Sequence, residues 1–589
     1  MDGAPSARAA FGKLSPKTLL LGAAEFAFAS SPCGVPNRCA VFFGDFTMFT
    51  RIRAFFSGLT ESASYGDRNS TYSTAYRGAS LAHQETFAWR PPFTSGDSAT
   101  LWERQLTAAR ADDLVRNDPH AVAGVNRLVD MLVGAGLRLS PSPSARALGL
   151  DPANGADRES IKQLSASLKS EWSLFAEDPR RFNDAQRRMS MNGQFRLMAR
   201  TMARRGEATA FLTWRRDENA RYATCLRTVD PDRLCNPMGQ ADTIQLRGGI
   251  EFDDHGSPVA YHVRNGHPAD YFAYAQTLQW ERILRCTSWG RPVFIHAYEP
   301  DREDQSRAIS PFASLMTRLR MIGKFADTEL ASATVNALFA AFVTSNMPVD
   351  QATQAFTPSQ MTYADKRMDY YTAAPPTLNG VRIPVLPVGD EIKINSSPRQ
   401  STAFVNFQSA FLQSIASALG ISYEQLTMDW SKTNYSSARA ALNEVWRHTQ
   451  TALATFVEQV VTPIYYAQVE EAFDRGYVVA PKGAPDFWDA PGAYLNARWI
   501  GPARGYVDPT KEAEAAGLRM ANFTSTLEQE AADCGRDYEE VLDQVAVEEA
   551  ALKARGLTRI IAAPGRIAND PNDADGNTSP AAPPEEKTA

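Results

Sequence analysis

Polar and apolar positions change rhythm several times along this chain of 589 residues. From Leu101, the run LWERQLTAARADDLVRND sets Leu101, Trp102, Leu106, Leu114 and Val115 at roughly helical spacing, until Asp118-Pro119 interrupts it. HAVAGVNRLVDMLVGAGLRL reads as a second helix, with Val122, Val125, Leu128, Val129 and Leu132 on one face and Gly134 and Gly136 as its stop. Two more helices are expected over residues 160–176 and 190–205. Alternation then replaces the helical period. ATAFLTWRRD, RYATCLRTVDPDRL and RPVFIHAYEP read as strands, and GGIEFDDHGSPVAYHVRN as a hairpin turning at Asp253–Gly256. Residues 101–309 are therefore expected to form an α+β domain.

The longest helical pattern runs from Pro311 to Val343, with Pro311 in its first turn and Ser310 as its cap. At 1.5 Å per residue it would make a rod of roughly 50 Å, longer than one compact domain needs. Residues 346–400 turn rich in Pro, Thr, Tyr and Asp, and RIPVLPVGDEIKINSSP suggests short strands. FVNFQSAFLQSIASALG then gives a second helix ending at Gly420. The pattern is a helical hairpin with a β-rich tip. From the SSARAALNEVW run onward the chain is helical, with a kink or break expected at Pro463. RWIGPARGYVD carries loop signals. A helix is expected from about Thr510, and another ends at Gly556.

The two ends read differently. Residues 1–47 are expected to be a disordered extension or a misassigned start. Lys13 and Lys17 precede an apolar stretch like that of a signal peptide, but Glu25 breaks it. Met48 opens an amphipathic MFTRIRAFFSGL; a start there would leave 542 residues, 589 less 47. Residues 48–100 are Ser-, Tyr- and Gly-rich and read as an arm that needs another surface to become ordered. Residues 557–589 read as a disordered acidic tail.

Charge and composition narrow the function. The net charge of −6 is the opposite of what tight phosphate neutralisation needs, so any meeting with DNA should be loose passage. Six cysteines make no disulfide framework, and Cys225 and Cys235 read as ordinary thiols. His255, His262 and His267 fit no common zinc spacing. No run of about 18 consecutive apolar residues suggests a membrane span.

One run invites a catalytic reading: DWSKTNYSSARAALNEVW, Asp429 to Trp446. Lys432-Thr433 looks like the end of a phosphate loop, but no glycine precedes it to let backbone N–H groups approach phosphate. No G-x-S-x-G elbow is present, and Ser436 or Ser437 reads as an N-cap for a helix starting near Ala438. Glu424 and Asp429 are a carboxylate pair in name only, since a two-metal nuclease needs several convergent carboxylates. A metal-dependent nuclease remains the alternative.

Several stretches together resemble the portal proteins of tailed bacteriophages of the lambda family. They are WSKTNYSSARA from Trp430, LVRNDPHAVAGVNRLVDMLVGAGLRLSP, the strand, loop and long helix from Val293 to Val343, SALGISYEQL, RWIGPARGYVDPTKEAEAAGLRM and CGRDYEEVL. They span roughly Leu101 to Gly556; residues 1–47 and the tail have no counterpart. The resemblance implies a non-enzymatic ring, usually of twelve copies, through which double-stranded DNA enters and leaves one capsid vertex. It implies a wing over residues 101–309, a first stem helix over 310–345, a clip over 346–400 and a second stem helix over 401–426. A channel loop over 427–437, a channel helix and wing return over 438–509 and a helical crown over 510–556 complete it. Thr427, Asp429, Trp430, Ser431, Lys432, Thr433, Asn434 and Tyr435 would line the channel, with Lys432 the residue placed to touch passing phosphate. The implied partners are a terminase large subunit, the major capsid or scaffold protein and a head–tail adaptor. Other head–tail connectors are a second alternative, though usually much smaller. No cofactor or metal is implied.

Overall fold

A computed structural model describes residue 79, residues 84–339, two short strands within 377–382, and residues 401–557 except Lys432 and Val507. The expectations for residues 1–47, for most of the arm, for nearly all of 346–400 and for the tail past residue 557 lie outside the described residues. Two compact units are present, Met1–Phe93 and Thr94–Ala589. In the first, the described residues include a turn closed by the Trp89 N–H on the Thr86 carbonyl at 3.1 Å. Everything below concerns the second.

Its chain begins with α1 (Gly96–Asn117) and α2 (Pro119–Leu132). Asp118 ends one and starts the other: its backbone N–H closes on Leu114, and its carboxylate accepts from His120 and Ala121 at 2.9 Å each. The stripe that α1 buries differs from the one expected. Trp102 and Leu106 are exposed, whereas Ala108, Ala111 and Leu114 are buried. Small side chains let α1 approach its neighbours closely, so alanine rather than the bulky residues faces inward. Strand β1 (Arg138–Pro141), α3 (Gly155–Ala176) and α4 (Met191–Arg205) follow.

Strands β2 (Glu207–Trp214) and β3 (Thr224–Val229) form where alternation appears in the sequence. So does the hairpin, with β4 (Leu246–Arg247) and β5 (Ile250–Phe252) leading to β6 (Pro258–Arg264). β7 (Trp280–Leu284) and β8 (Phe294–Tyr298) complete two antiparallel sheets, ordered β3-β2-β8 and β4-β5-β6-β7. A small aromatic core containing Phe211, Tyr261, Ile283 and Phe294 lies between them.

Arg307 ties the sheets together from within. It is fully buried and uses all five N–H donors. Nε and Nη2 reach Glu207 at 2.8 and 2.5 Å, Nη1 reaches the carbonyls of Leu234 and Gly248, and Nη2 also reaches that of Pro231. Arg104 and His296 close on the same carboxylate at 3.0 Å each. Burial alone would raise the Glu207 pKa, but Arg307, His296 and Arg104 hold it well below the ordinary carboxylate range. Burial lowers the pKa of His296.

The long helical pattern is realised later than expected. Residues 311–315 form turns and α5 spans Met316–Phe339, about 36 Å at 1.5 Å per residue. Ser310 is thus no helix cap: its hydroxyl donates to the Arg204 carbonyl and accepts the Phe312 N–H at 3.2 Å. Two-residue strands β9 (Thr377–Leu378) and β10 (Val381–Arg382) pair antiparallel. The return helix α6 (Ser401–Ala418) runs against α5. Arg318 bonds Ser414, and Phe325 meets Phe407 at 5.0 Å. Seven residues forward on α5 correspond to seven back on α6, which sets an antiparallel register. Phe312, Leu315, Leu319 and Ile322 are buried with Leu412 and Ile415, whereas Leu330, Val405 and Phe407 are exposed. The pair is therefore rooted in the core at one end and leaves it at the other.

After α7 (Tyr423–Thr427), α8 (Tyr435–Phe456) continues through a π turn, Val457–Val461, into α9 (Thr462–Asp474). No break occurs at Pro463. The Thr462 N–H bonds back five residues to Val457, and the wider turn keeps the proline ring clear of the preceding carbonyl. β11 (Ala497–Ile500), hidden among loop signals in the sequence, pairs antiparallel with β1, Arg138 opposite Ile500. Trp172, Tyr465 and Trp499 pack edge to face beneath it, 5.1–5.6 Å apart. Three helices end the described chain: α10 (Pro509–Ala521), α11 (Leu527–Asp533) and α12 (Tyr538–Ala554), none with a buried residue.

Candidate functional site

The segment singled out in the sequence lies between α7 and α8. Its approach is built tightly. Gly420 ends the return helix in the left-handed region, φ +70°, with His448 packed so close that a Cβ would come within 2.3 Å of Nε2. Only glycine fits there. Ser422 and Gln425 then form a capping box at the start of α7. Met428 closes α7 with φ +59°, its N–H 2.7 Å from the Glu424 carbonyl.

The irregular loop is shorter than the expected span of 427–437. Thr427 is the last residue of α7, and Tyr435, Ser436 and Ser437 belong to α8, so the loop proper is residues 428–434. The cap of α8 is Asn434, whose Oδ1 accepts the Ser437 N–H at 2.9 Å, rather than Ser436 or Ser437. A local side-chain acceptor one turn earlier won over the serines, which lie inside the first helical turn. Asp429 Oδ1 accepts the Ser431 N–H at 3.1 Å and its hydroxyl at 2.6 Å. Thr433 donates to Glu424 at 3.0 Å, closing the loop on its own entry helix. Lys432 lies outside the described residues.

Met428, Asp429, Trp430, Ser431, Asn434 and Tyr435 are exposed, while Thr427 and Thr433 are half-buried. Arg127 of α2 donates to the Met428 sulfur at 3.0 Å. A cavity of about 330 Å³ behind the loop is lined by Arg127, Met428, Trp430 and Trp446. The C-terminal helices reach the other flank: Arg439 pairs with Glu512 at 2.8 Å, and Lys511 lies 5.6 Å from the Tyr435 ring. A hydrogen bond to Asp508 raises the pKa of Lys511, with the Tyr435 hydroxyl adding to the effect. Glu424 and Asp429 are turned to structural tasks, one receiving Thr433 and the other Ser431. Among the described residues the loop presents small polar and aromatic side chains to solvent.

A second cluster could be mistaken for a metal centre. Asp230, Asp232 and His267 bring ligand atoms within 4.8 Å of one another. The Arg205 guanidinium already stands 2.7 Å from both carboxylates, so the cation position is taken. His262 instead meets Glu251 at 2.5 Å, and the exposed His255 sits in the hairpin turn. Cys225, Cys235, Cys286 and Cys534 are free thiols. Among the described residues, no helix is long and apolar enough to cross a membrane.

Residues 83–452 match the family described as phage portal protein, lambda family. The chain is 33% identical over 478 residues to the portal protein of Escherichia phage N15, covering 80% of this chain and 88% of that one. It is 31% identical over 480 residues to portal protein B of Escherichia phage lambda, with the same coverage of each. Among solved structures, the neck of a native GTA particle computed with C12 symmetry covers 74% of this chain and 99% of that one. Its identity is 14% and its TM-score 0.34, too loose a superposition to bear on the fold.

Proposed function

The chain belongs to the lambda family of phage portal proteins, and from that premise we propose how its elements divide the work of a DNA channel. It is a portal protein of the virion, placed at the portal vertex of the capsid, where portals serve genome packaging. The observation that carries this is the family match across residues 83–452, which takes in the helical hairpin and the loop after it.

In our reading, copies of the chain close into a ring, with twelve as the expected number, around double-stranded DNA. The α5/α6 pair is the stem (310–345 and 401–426), and residues 346–400 are the clip that meets the terminase large subunit and later the head–tail adaptor. Residues 101–309 are the wing, towards the major capsid or scaffold protein. Residues 438–509 are the channel helix and wing return, and 510–556 the crown. Three features support this division: the pair leaves the core with its register set, the two sheets share a small aromatic core of their own, and the last three helices hold no buried residue within one chain.

Residues 427–437 form the channel loop. Lys432 is the one cation and Asp429 the one anion between Thr427 and Ser437. A single lysine per copy gives contact with phosphate that is weak and readily broken, as sliding DNA requires. Hydrolysis of ATP and cutting of DNA fall to the terminase, and this chain acts as a non-enzymatic conduit.

Negative-stain images of the purified protein should show rings with a central hole. A stable monomer, even with capsid or scaffold protein present, would overturn the reading. Incubation with DNA and Mg²⁺ or Mn²⁺ should leave the DNA intact; cleavage abolished by Asp429→Ala would establish the nuclease alternative instead.

A further inference from the structure

A cleft of about 940 Å³ beside the β3-β2-β8 sheet has no task in the channel reading. Three tryptophans line it and remain half open to solvent: Trp214 at 46%, Trp289 at 60% and Trp488 at 50% exposure. Its floor is fixed. Arg291 and Glu470 are both nearly buried and meet at 2.6 Å. Arg291 also donates to Thr224 Oγ1 at 2.7 Å and to the Ala467 carbonyl at 3.1 Å. This ion pair holds one indole at each end: the guanidinium stands 5.0 Å from the Trp214 ring, and Glu470 accepts the Trp289 indole N–H at 2.6 Å. Among the described residues, the indole N–H groups of Trp214 and Trp488 meet no acceptor. Glu281 and Asp474, exposed on the same lining, form no ion pair among the described residues. Arg227 is the exposed cation on that lining. Grouped, oriented, half-exposed indoles on a fixed floor mark a contact surface rather than scattered apolar exposure.

We infer that this cleft binds a proline-rich segment of a partner protein, in the polyproline II conformation and with a basic residue beside its Pro-x-x-Pro core. The lining selects that chemistry in three ways. Polyproline II has three residues per turn, so prolines three apart share one face and offer their rings to the indoles about 9 Å apart along the axis. Its backbone carbonyls make no internal bonds and can accept from the Trp214 and Trp488 N–H groups. The carboxylates of Glu281 and Asp474 outnumber Arg227, so the exposed charge on the lining favours a cationic segment. The same balance disfavours nucleic acid: bases could stack on the indoles, but Glu281 and Asp474 repel the phosphates. A helix suits the cleft less, because its carbonyls are already paired along its length. The segment is extended before it binds and the floor is fixed, so little order has to be created on contact. The inference makes no use of the channel reading, and the two stand or fall separately.

Fluorescence anisotropy with the purified full chain tests this against three labelled peptides. One has arginine two residues before a Pro-x-x-Pro core, one has those prolines replaced by alanine, and one has glutamate in place of the arginine. The arginine peptide should bind, and the other two should bind about tenfold more weakly or not at all. Trp488→Ala should weaken the arginine peptide by about tenfold, as loss of an aromatic anchor does. The double variant Glu281→Lys/Asp474→Lys changes only exposed side chains without ion-pair partners, so it should fold as the parent does and reverse the preference, taking the glutamate peptide over the arginine one. No binding at millimolar peptide, equal binding of the alanine peptide, unchanged affinity in Trp488→Ala or an unreversed preference in the lysine variant would each overturn the inference. Tighter binding of a short oligothymidylate would assign the cleft to single-stranded nucleic acid instead, and peptide binding by monomers but not by rings would assign it to a neighbouring copy.

Discussion

The Glu207 cluster and the loop 428–434 hold their conformations by opposite means. Glu207 is fully buried and receives three cationic or imidazole groups from α1, β8 and the segment before α5, drawn from 203 positions of chain between Arg104 and Arg307. The loop is exposed, and these bonds are local along the chain: Asp429 to Ser431 and Asn434 to Ser437 span two and three positions, and Glu424 to Thr433 spans nine. In the first, loss of any partner strands a charge in low dielectric. In the second, water replaces what is lost. Rigidity sits where charge is buried, and in the proposed channel reading the surface that DNA would pass is the one whose contacts are local and exchangeable.

The contrast can be tested from its strong end down. Glu207→Ala leaves Arg307 and Arg104 buried without their carboxylate, so a destabilisation of about 3–5 kcal/mol is expected. A thermal midpoint within a degree of the parent protein would remove the distinction between the two regions. Acid should act on the same cluster. The folded pKa of Glu207 is depressed, so the unfolded chain binds the extra proton first, and stability falls as pH drops below the ordinary carboxylate value towards the folded one. Thermal unfolding followed over that acid range should show a steep loss that is blunted in Glu207→Gln.

Asn434→Ala removes the cap of α8 and should cost about 1 kcal/mol, read from the same unfolding curves. A loss as large as that of Glu207→Ala would mean that the loop is part of the core scaffold. Lys432→Ala is expected to leave thermal stability and ring formation unchanged while altering DNA packaging or retention. Failed assembly in that variant would make the loop structural.

Much of this was legible in the chain's own periodicity. The helices near residues 119–132, 155–176 and 191–205 and the hairpin at Asp253–Gly256 follow from local spacing and turn residues, because hydrogen bonds within helices and hairpins join near neighbours. The candidate loop was legible in outline from its small polar residues. Its true cap was not, because Asn434 and the two serines are all competent acceptors and only backbone geometry chooses among them. β11 escaped notice since four residues carry little pattern, and its partner β1 lies more than 350 positions earlier.

By itself, then, the order of polar and apolar residues determined most of the longer helices and the central hairpin, that two long helices would bracket an insertion, and which family's signature the chain carries. Tertiary structure alone decided that alanines rather than Trp102 face inward on α1, that Pro463 rides through a π turn, and that Glu207, Arg307 and His296 meet. Those outcomes depend on which surfaces approach across long stretches of chain, where burial turns an ordinary glutamate into a buried anchor that no local pattern announces.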